Sequence, residues 1–278
     1  MFGGVFTALV TPFRDDKIDE PALRKLVDRQ ITAGIAGLVP CGSTGESATL
    51  SAQEHHQVID IVISAAAGRV PVLAGTGSNN TREAIGFTQH AKEAGAAAAL
   101  LLSPYYNKPT QEGLVEHFEA IANATQLPLI IYNIPGRTAS NIAPETIARL
   151  AEHEFIVGVK EASGDLDQIA QVIALCPDDF DVLAGDDPLL LPILAIGGKG
   201  SIAVTSNVAP AAMLDLYRAF SSGNSARARE LHYQLLPLFN ALFSETNPIP
   251  VKAALAMMGA MQDDIRLPLT QLTQPNRD

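Results

Sequence analysis

The sequence predicts an α/β fold, a (β/α)8 TIM barrel followed by a small C-terminal helical region. Short apolar runs alternate with longer amphipathic stretches about eight times along the 278 residues. The region after the first apolar run holds no G-x-G-x-x-G motif, and only Gly3-Gly4 precedes it. An open dinucleotide-binding sheet is therefore less compatible with the sequence than a closed barrel.

Eight segments are predicted as strands because each is a nearly continuous apolar run, as in strands buried on both faces of a parallel sheet. They cover residues 5–10, 37–40, 70–74, 98–102, 129–132, 156–160, 181–184 and 201–204. Amphipathic patterns between them predict helices, and Leu114, Phe118 and Ile121 fall on one helical face. Ser51 followed by Glu54 has the spacing of a capping box at a helix start.

The region after the eighth strand continues as helical patterns over residues 210–221, 225–243 and 250–259, with no further strand. No low-complexity linker divides the chain. We therefore predict a barrel that carries the catalytic site over residues 1–222. A helical extension packed on that barrel is predicted over residues 223–278.

Composition limits the classes of partner. Hydrophobic residues make up 47% of the chain and charged residues 18%, which is enough for one large core. The net charge of −11 argues against nucleic acid and anionic membranes as partners. An acid bound by such a protein needs a local cationic group. With no signal peptide and no apolar stretch of membrane-spanning length evident, we expect a cytoplasmic protein.

Lys160 ends the sixth predicted strand, after the apolar run 155–159. An ammonium group at the end of a buried strand is poorly solvated, so its neutral amine becomes accessible near pH 7. A neutral lysine amine can attack a carbonyl carbon and form a Schiff base. Structural lysines are far more common than catalytic ones, so Lys160 alone leaves both interpretations open.

Other polar groups follow neighbouring strands, at the end of a barrel where active sites form. The segment Gly42-Ser-Thr-Gly-Glu46 can present N–H and hydroxyl donors to a carboxylate, although a glycine-rich turn before a helix is an equal alternative. Tyr132 can transfer protons beside an imine. Arg137 can bind a carboxylate through two hydrogen bonds. The six histidines show no metal-ligand spacing.

Three motifs together resemble the pyruvate-dependent class I aldolase superfamily, which is also called the N-acetylneuraminate lyase superfamily. They are residues 42–46, 132–138 and 158–162, and residues 104–109 and 247–252 also stand in family positions. The resemblance covers nearly the whole chain. It implies condensation of pyruvate with L-aspartate 4-semialdehyde, an early step of lysine and diaminopimelate biosynthesis. It also implies that no metal or organic cofactor is needed.

The resemblance assigns roles to individual residues. The implied catalytic residues are Lys160, Tyr132, Thr44 and Tyr106. The implied substrate-binding residues are Ser43, Thr44, Arg137, Gly185 and Ile202. Lys160 would form the imine with pyruvate, and Arg137 would receive the carboxylate of the aldehyde. Tyr106 would reach the proton relay from a neighbouring subunit.

A shared relay implies a homo-oligomer, and family members are commonly tetramers built from tight dimers. The resemblance further implies an allosteric site for L-lysine at the tight interface. The matching positions are Ser47, Ala48, His55, Asn79, Glu83 and Tyr105. Ala52 stands where some lysine-sensitive members have a histidine, and we expect moderate sensitivity.

Two alternative functions differ in what they require. A sibling on the same barrel, N-acetylneuraminate lyase or a 2-keto-3-deoxy-sugar-acid aldolase, would share the lysine and the tyrosine. Arg137 and the Tyr105-Tyr106 pair suit a short carboxylated aldehyde better than a polyhydroxylated chain. A non-catalytic barrel that binds a metabolite would need none of these reactive groups, yet all are present.

Overall fold

The computed structural model describes residues 2–277. It contains two compact units. The first unit comprises the described N-terminal residues up to Gly4 together with Leu73–Ile202, and the second comprises Val5–Val72 and the described residues from Ala203 onward.

The strands follow the predicted pattern, with a short hairpin in addition. In chain order they are β1 Gly4–Ala8, β2 Phe13–Arg14, β3 Lys17–Ile18, β4 Gly37–Val39, β5 Leu73–Gly75, β6 Ala98–Leu102, β7 Leu129–Asn133, β8 Ile156–Glu161, β9 Asp181–Ala184 and β10 Gly200–Ala203. Each of the eight predicted strands has a counterpart in this series. The third begins at Leu73 rather than at residue 70, because Pro71 has no N–H to donate and Val72 forms only an isolated bridge with Leu38.

The helices lie between and after these strands. They are α1 Glu20–Ala33, α2 Ala52–Ala66, α3 Thr81–Ala94, α4 Gln111–Thr125, α5 Pro135–Thr138, α6 Pro144–Leu150, α7 Leu166–Leu175, α8 Leu190–Ala195, α9 Pro210–Ser221, α10 Ser225–Ala241, α11 Ile249–Met257 and α12 Gln274–Arg277. The capping box at Ser51 and Glu54 is confirmed, since each residue bonds the backbone N–H of the other. The boundary between residues 222 and 223 stays a prediction.

The first unit is built on parallel strands. Strands β5 to β10 pair in the order of the chain. Gly158 in β8 allows a close approach to β9, because a Cβ there would lie 2.6 Å from the carbonyl oxygen of Asp181. Helix α3 packs on α4, α4 on α6, and α6 on α7. The core between sheet and helices includes Leu101, Leu114, Phe118, Ile131, Val159 and Val182.

The second unit combines the first strands with the C-terminal helices. Strand β1 pairs in parallel with β4, and β2 pairs with β3 as an antiparallel hairpin. Helix α1 packs on α2, and α9 packs on α10. The predicted helices of the C-terminal region are confirmed as α9, α10 and α11, with ends that differ by up to two residues. Their core includes Val10, Leu26, Val204, Leu242, Val251 and Leu255.

Candidate active site

The first unit brings Lys160 and Tyr132 side by side. They are register partners on the parallel strands β8 and β7, so their side chains leave the sheet on the same face. The Nζ atom of Lys160 lies 4.2 Å from the centre of the Tyr132 ring. Both residues are buried, with exposed fractions of 5% and 6%. The order of the strand ends along the chain predicted this pairing.

Burial lowers the pKa of Lys160 to about 8. The carboxylates of Asp187 and Asp186 oppose the shift, and the guanidinium of Arg137 adds to it. With that pKa, about a tenth of the Lys160 side chains carry a neutral amine at pH 7. The amine is therefore available as a nucleophile without a separate base.

The hydroxyl of Tyr132 has the opposite tendency. Burial raises its pKa, Arg137 acts to lower it, and Asp186 and Asp187 raise it further. The resting Tyr132 hydroxyl thus keeps its proton at neutral pH. It can donate that proton to a developing oxyanion or carbinolamine beside Lys160.

Arg137 lies on α5, the short helix that follows β7, and its side chain is exposed. The next residue, Thr138, is buried, and its hydroxyl lies within hydrogen-bonding distance of the carbonyl oxygens of Ile134 (3.0 Å) and Ser140 (2.9 Å). Ser103 donates to the Thr138 hydroxyl at 3.3 Å. An anchored turn with an exposed guanidinium is suited to binding a carboxylate at its tip.

Glu161 anchors the ends of β7 and β8 next to Lys160, a role the sequence did not reveal. Its side chain is fully buried and accepts hydrogen bonds from Asn133 Nδ2 at 3.1 and 3.2 Å and from the backbone of Ser163 at 2.8 Å. Burial raises its pKa. Asn133 in turn accepts from the N–H of Ile142. The network joins the ends of β7 and β8 to the loops that follow them.

Gly185 and Ile202 also lie in the first unit. A Cβ at Gly185 would lie 2.6 Å from the Cβ of Ala162, and its N–H donates to the carbonyl oxygen of Glu161 at 2.7 Å. A larger residue at this position would displace the backbone next to Lys160. Ile202 is fully buried in β10.

The second unit holds the segment 42–46. Thr44 is buried and accepts a hydrogen bond from Nδ2 of Asn247 at 3.0 Å, while Ser43 is half-buried. The left-handed residues of this turn are Cys41 (φ 56°) and Glu46 (φ 54°) rather than its glycines. Gly45 is needed for a close approach, because a Cβ would lie 3.0 Å from the backbone nitrogen of Cys41.

A side chain at Gly42 would meet open space, with no other atom within 4 Å. The space around this turn therefore requires a glycine at position 45 but not at position 42.

Tyr105 and Tyr106 follow β6 and are the most exposed of the predicted site residues with rings. Tyr106 is 88% exposed and has a left-handed backbone (φ 73°), whereas Tyr105 is 38% exposed. Asn107 fixes this loop by donating to the carbonyl oxygen of Asn79 at 2.9 Å. The Tyr106 ring thus points away from the core of its own unit.

The residues predicted to bind the effector L-lysine form two groups in separate parts of the chain. Ser47 and Ala48 lie in the 3-10 helix Ser47–Thr49, and His55 is buried in α2. Asn79 and Glu83 lie at the start of α3, where the hydroxyl of Ser78 donates to the Glu83 carboxylate. Tyr105 completes the second group.

The described residues meet neither the requirements of a metal site nor those of a membrane-spanning helix. Within residues 2–277, no group of three or more histidine, cysteine, aspartate or glutamate side chains is arranged to hold a metal ion. Over the same residues, every helix is too short or too polar to cross a membrane.

Comparison with known proteins shows to which class of protein the chain belongs. Dihydrodipicolinate synthase from Aquifex aeolicus superposes with a TM-score of 0.98 at 47% identity, covering 99% of this chain and 94% of that one. The predicted (β/α)8 fold class is thereby confirmed, and the chain is an enzyme of the lyase class built on this barrel. It belongs to the dihydrodipicolinate synthetase family, whose model matches residues 1–278.

Two further proteins are similar to the chain over nearly its whole length. The 4-hydroxy-tetrahydrodipicolinate synthase of Syntrophus aciditrophicus is 58% identical over 278 residues, which are 100% of this chain and 96% of that protein. DHDPS from Cyanidioschyzon merolae, solved with lysine bound, has a TM-score of 0.97 at 42% identity and covers 99% and 95% of the two chains. The predicted resemblance is confirmed at the level of the family.

Proposed function

We propose that the chain condenses pyruvate with L-aspartate 4-semialdehyde to give 4-hydroxy-tetrahydrodipicolinate, and that it does so in the cytoplasm, in lysine and diaminopimelate biosynthesis. The observation that carries the proposal is Lys160, buried against Tyr132 with a pKa lowered to about 8. Such a lysine suits a covalent mechanism with a 2-oxo acid. The family and the name of the Syntrophus aciditrophicus relative, which states the product, support this choice of reaction.

The first half of the reaction forms a nucleophile from pyruvate. The neutral Nζ of Lys160 attacks the pyruvate carbonyl carbon, and the resulting carbinolamine loses water to give a protonated imine. That imine draws electrons from the neighbouring methyl group, which loses a proton and becomes an enamine. No metal or organic cofactor is proposed, because the imine itself accepts the electron pair.

The second half closes the ring. The enamine carbon attacks the aldehyde carbon of L-aspartate 4-semialdehyde, forming a carbon–carbon bond and regenerating the imine. The amino group of the second substrate then attacks the imine carbon and displaces Lys160. Transimination thereby releases the cyclic product and the free lysine amine together.

Proton transfer is assigned to Tyr132, Thr44 and Tyr106. Tyr132 keeps its proton at rest, which suits it to act as the acid beside the carbinolamine. Tyr106 is proposed to enter the relay of a neighbouring copy, and its large exposed fraction supports this. The active enzyme is accordingly proposed to be a homo-oligomer, a tetramer built from tight dimers.

Two groups are assigned to the substrate carboxylates. The hydroxyl and N–H groups of Ser43 and Thr44 are proposed to bind the carboxylate of pyruvate, near Gly185 and the backbone of Ile202. Arg137 is proposed to bind the carboxylate of the aldehyde. A cationic group is required for that second role because the chain carries a net charge of −11.

Reduction with borohydride in the presence of pyruvate tests the covalent step. We expect a stable adduct on the peptide that carries Lys160 and none on the peptide that carries Lys252, which is also buried but paired with Glu46. Lys160→Ala should abolish the adduct. An unmodified Lys160 after reduction, with the protein folded, would refute the proposed mechanism.

We further propose that L-lysine binds as an effector at Ser47, Ala48, His55, Asn79, Glu83 and Tyr105. The lysine-bound structure of the Cyanidioschyzon merolae relative supports this proposal. The carboxylate of Glu83 would bind an ammonium group of the effector. Activity measured across millimolar L-lysine should fall for the native enzyme and much less for Glu83→Gln, whereas a flat curve for the native enzyme would contradict the proposal.

A further inference from the structure

Asn247 is a buried polar residue that the proposed chemistry does not use. It lies just before α11 in the C-terminal region, and 5% of its surface is exposed. Its Nδ2 donates to the hydroxyl oxygen of Thr44 at 3.0 Å, although 203 positions separate the two residues along the chain. The contact therefore joins the C-terminal helices to a hydroxyl assigned to proton transfer.

The backbone around Thr44 is held by other residues. Lys252 in α11 donates to the carboxylate of Glu46, which also accepts from the backbone N–H of Arg266 at 3.1 Å. The hydroxyl of Thr11 donates to the carbonyl oxygen of Gly45 at 2.7 Å. These bonds hold the turn independently of Asn247, whose Nδ2 bonds the Thr44 side chain.

A threonine hydroxyl has one proton to donate and two sites at which it can accept. The amide group of Asn247 occupies one accepting site of Thr44 with an N–H, which cannot itself accept a proton. The Thr44 proton must therefore point away from Asn247. It is left available for another acceptor, and the hydroxyl has a second accepting site for an incoming proton.

We propose that Asn247 is a positioning residue that sets the direction of proton transfer through Thr44. This inference rests on the proposed function, because it requires Thr44 to take part in the relay. In this proposal Asn247 acts through the Thr44 hydroxyl, to which its Nδ2 donates, and takes no direct part in the reaction. Because the Asn247 amide donates to the Thr44 hydroxyl, Thr44 can give its own proton only to a different acceptor in the relay.

Asn247→Asp tests the direction directly, because a carboxylate of the same shape accepts from Thr44 where the amide donated. We expect the turnover number to fall roughly 10- to 100-fold, with a much smaller change in the KM for pyruvate. The exchange of pyruvate methyl protons for deuterium, followed by NMR in heavy water, should slow by a similar factor. Borohydride trapping at Lys160 should still succeed.

A double-mutant cycle with Thr44 separates positioning from general damage. Thr44→Val removes the hydroxyl, so adding Asn247→Asp to it should cause almost no further loss of turnover. Thr44→Ser keeps the hydroxyl, so Asn247→Asp should remain as harmful there as in the native enzyme. Asn247→Ala removes the amide without placing a carboxylate beside Thr44, so it should lower turnover less than Asn247→Asp does. It also provides a second variant if the aspartate protein fails to fold.

Two results would overturn the inference. One is native turnover and native proton exchange in a folded Asn247→Asp enzyme. The other is a loss that adds in full to that of Thr44→Val. Failure of the proposed function would look different, since the native enzyme itself would then give no pyruvate adduct at Lys160.

Discussion

Two buried lysines in this chain have opposite surroundings. Lys160 and Lys252 are 5% and 1% exposed, and each Nζ lies over an aromatic ring, at 4.2 Å from Tyr132 and 4.5 Å from Phe13. Burial lowers the pKa of both side chains. Lys252, however, is bonded to the carboxylate of Glu46 and donates to the carbonyl oxygen of Thr11 at 3.0 Å.

The two amines differ in the groups that contact them. The Glu46 carboxylate and the Thr11 carbonyl bind the charged form of Lys252, and the carboxylate opposes the lowering of its pKa. Lys160 faces a ring that carries a hydroxyl, and Asp186 and Asp187 act on its charge only through space. Burial alone does not distinguish the two; the groups that contact each amine do.

The largest expected effect is the loss of Lys160. Lys160→Met should lower turnover by on the order of 10⁴-fold or more, because it removes the nucleophile itself. The protein should stay folded, since an apolar side chain of similar length costs nothing in desolvation at a buried site. Turnover assays and thermal unfolding check the two parts, and appreciable turnover in this variant would contradict the covalent mechanism.

The same substitution at Lys252 should act on stability instead. Lys252→Met leaves the buried carboxylate of Glu46 without its charge partner, which should cost about 3–5 kcal/mol in the free energy of unfolding. Urea titration measures this loss. Adding Glu46→Gln should recover much of it, and equal stability of the two variants would show that the carboxylate is not the cause.

Tyr132→Phe makes the surroundings of Lys160 more like those of Lys252, which faces Phe13. We expect turnover to fall about 100-fold because the acid beside the imine is lost. Trapping of the pyruvate adduct with borohydride should persist, although more slowly. The rate of adduct formation and the turnover number distinguish the two steps, and native turnover would remove Tyr132 from the relay.

The smallest effect concerns pH. The pKa of Lys160 is about 8, so the rate of imine formation should rise with pH and level off above that value. The Asp187 carboxylate favours the charged amine, and Asp187→Asn should therefore lower the pKa of Lys160 and move the rise to lower pH. Borohydride trapping rates across roughly pH 6–10 measure the midpoint. A shift to higher pH would contradict the assignment.

The sequence predicted the parts of this molecule that repeat along the chain. Apolar runs marked the strands, and the residues that follow those runs indicated Lys160, Tyr132 and Arg137 as members of one site. The pairing of Lys160 with Tyr132 follows from the parallel register of neighbouring strands. A strand or helix can be predicted from sequence where its own residues show the hydrophobic pattern of that element.

The remaining features depend on contacts between distant residues. The two-residue strands β2 and β3 are too short to show a period. The bonds from Asn247 to Thr44 and from Lys252 to Glu46 cross more than 200 positions and have no local pattern. Lys252 follows Pro250 by two residues in a stretch with no local sign of burial, and the packing of α11 buries it.

The bonds from α11 and Arg266 to the turn at Glu46 have a consequence for protein engineering. A chimera that joins the first part of this chain to the C-terminal helices of a relative exchanges one side of every one of those bonds. Such a hybrid should keep native turnover only when positions 44 and 247 come from the same parent, and native stability only when positions 46 and 252 do. Recombination points placed at the apparent end of the barrel would separate them.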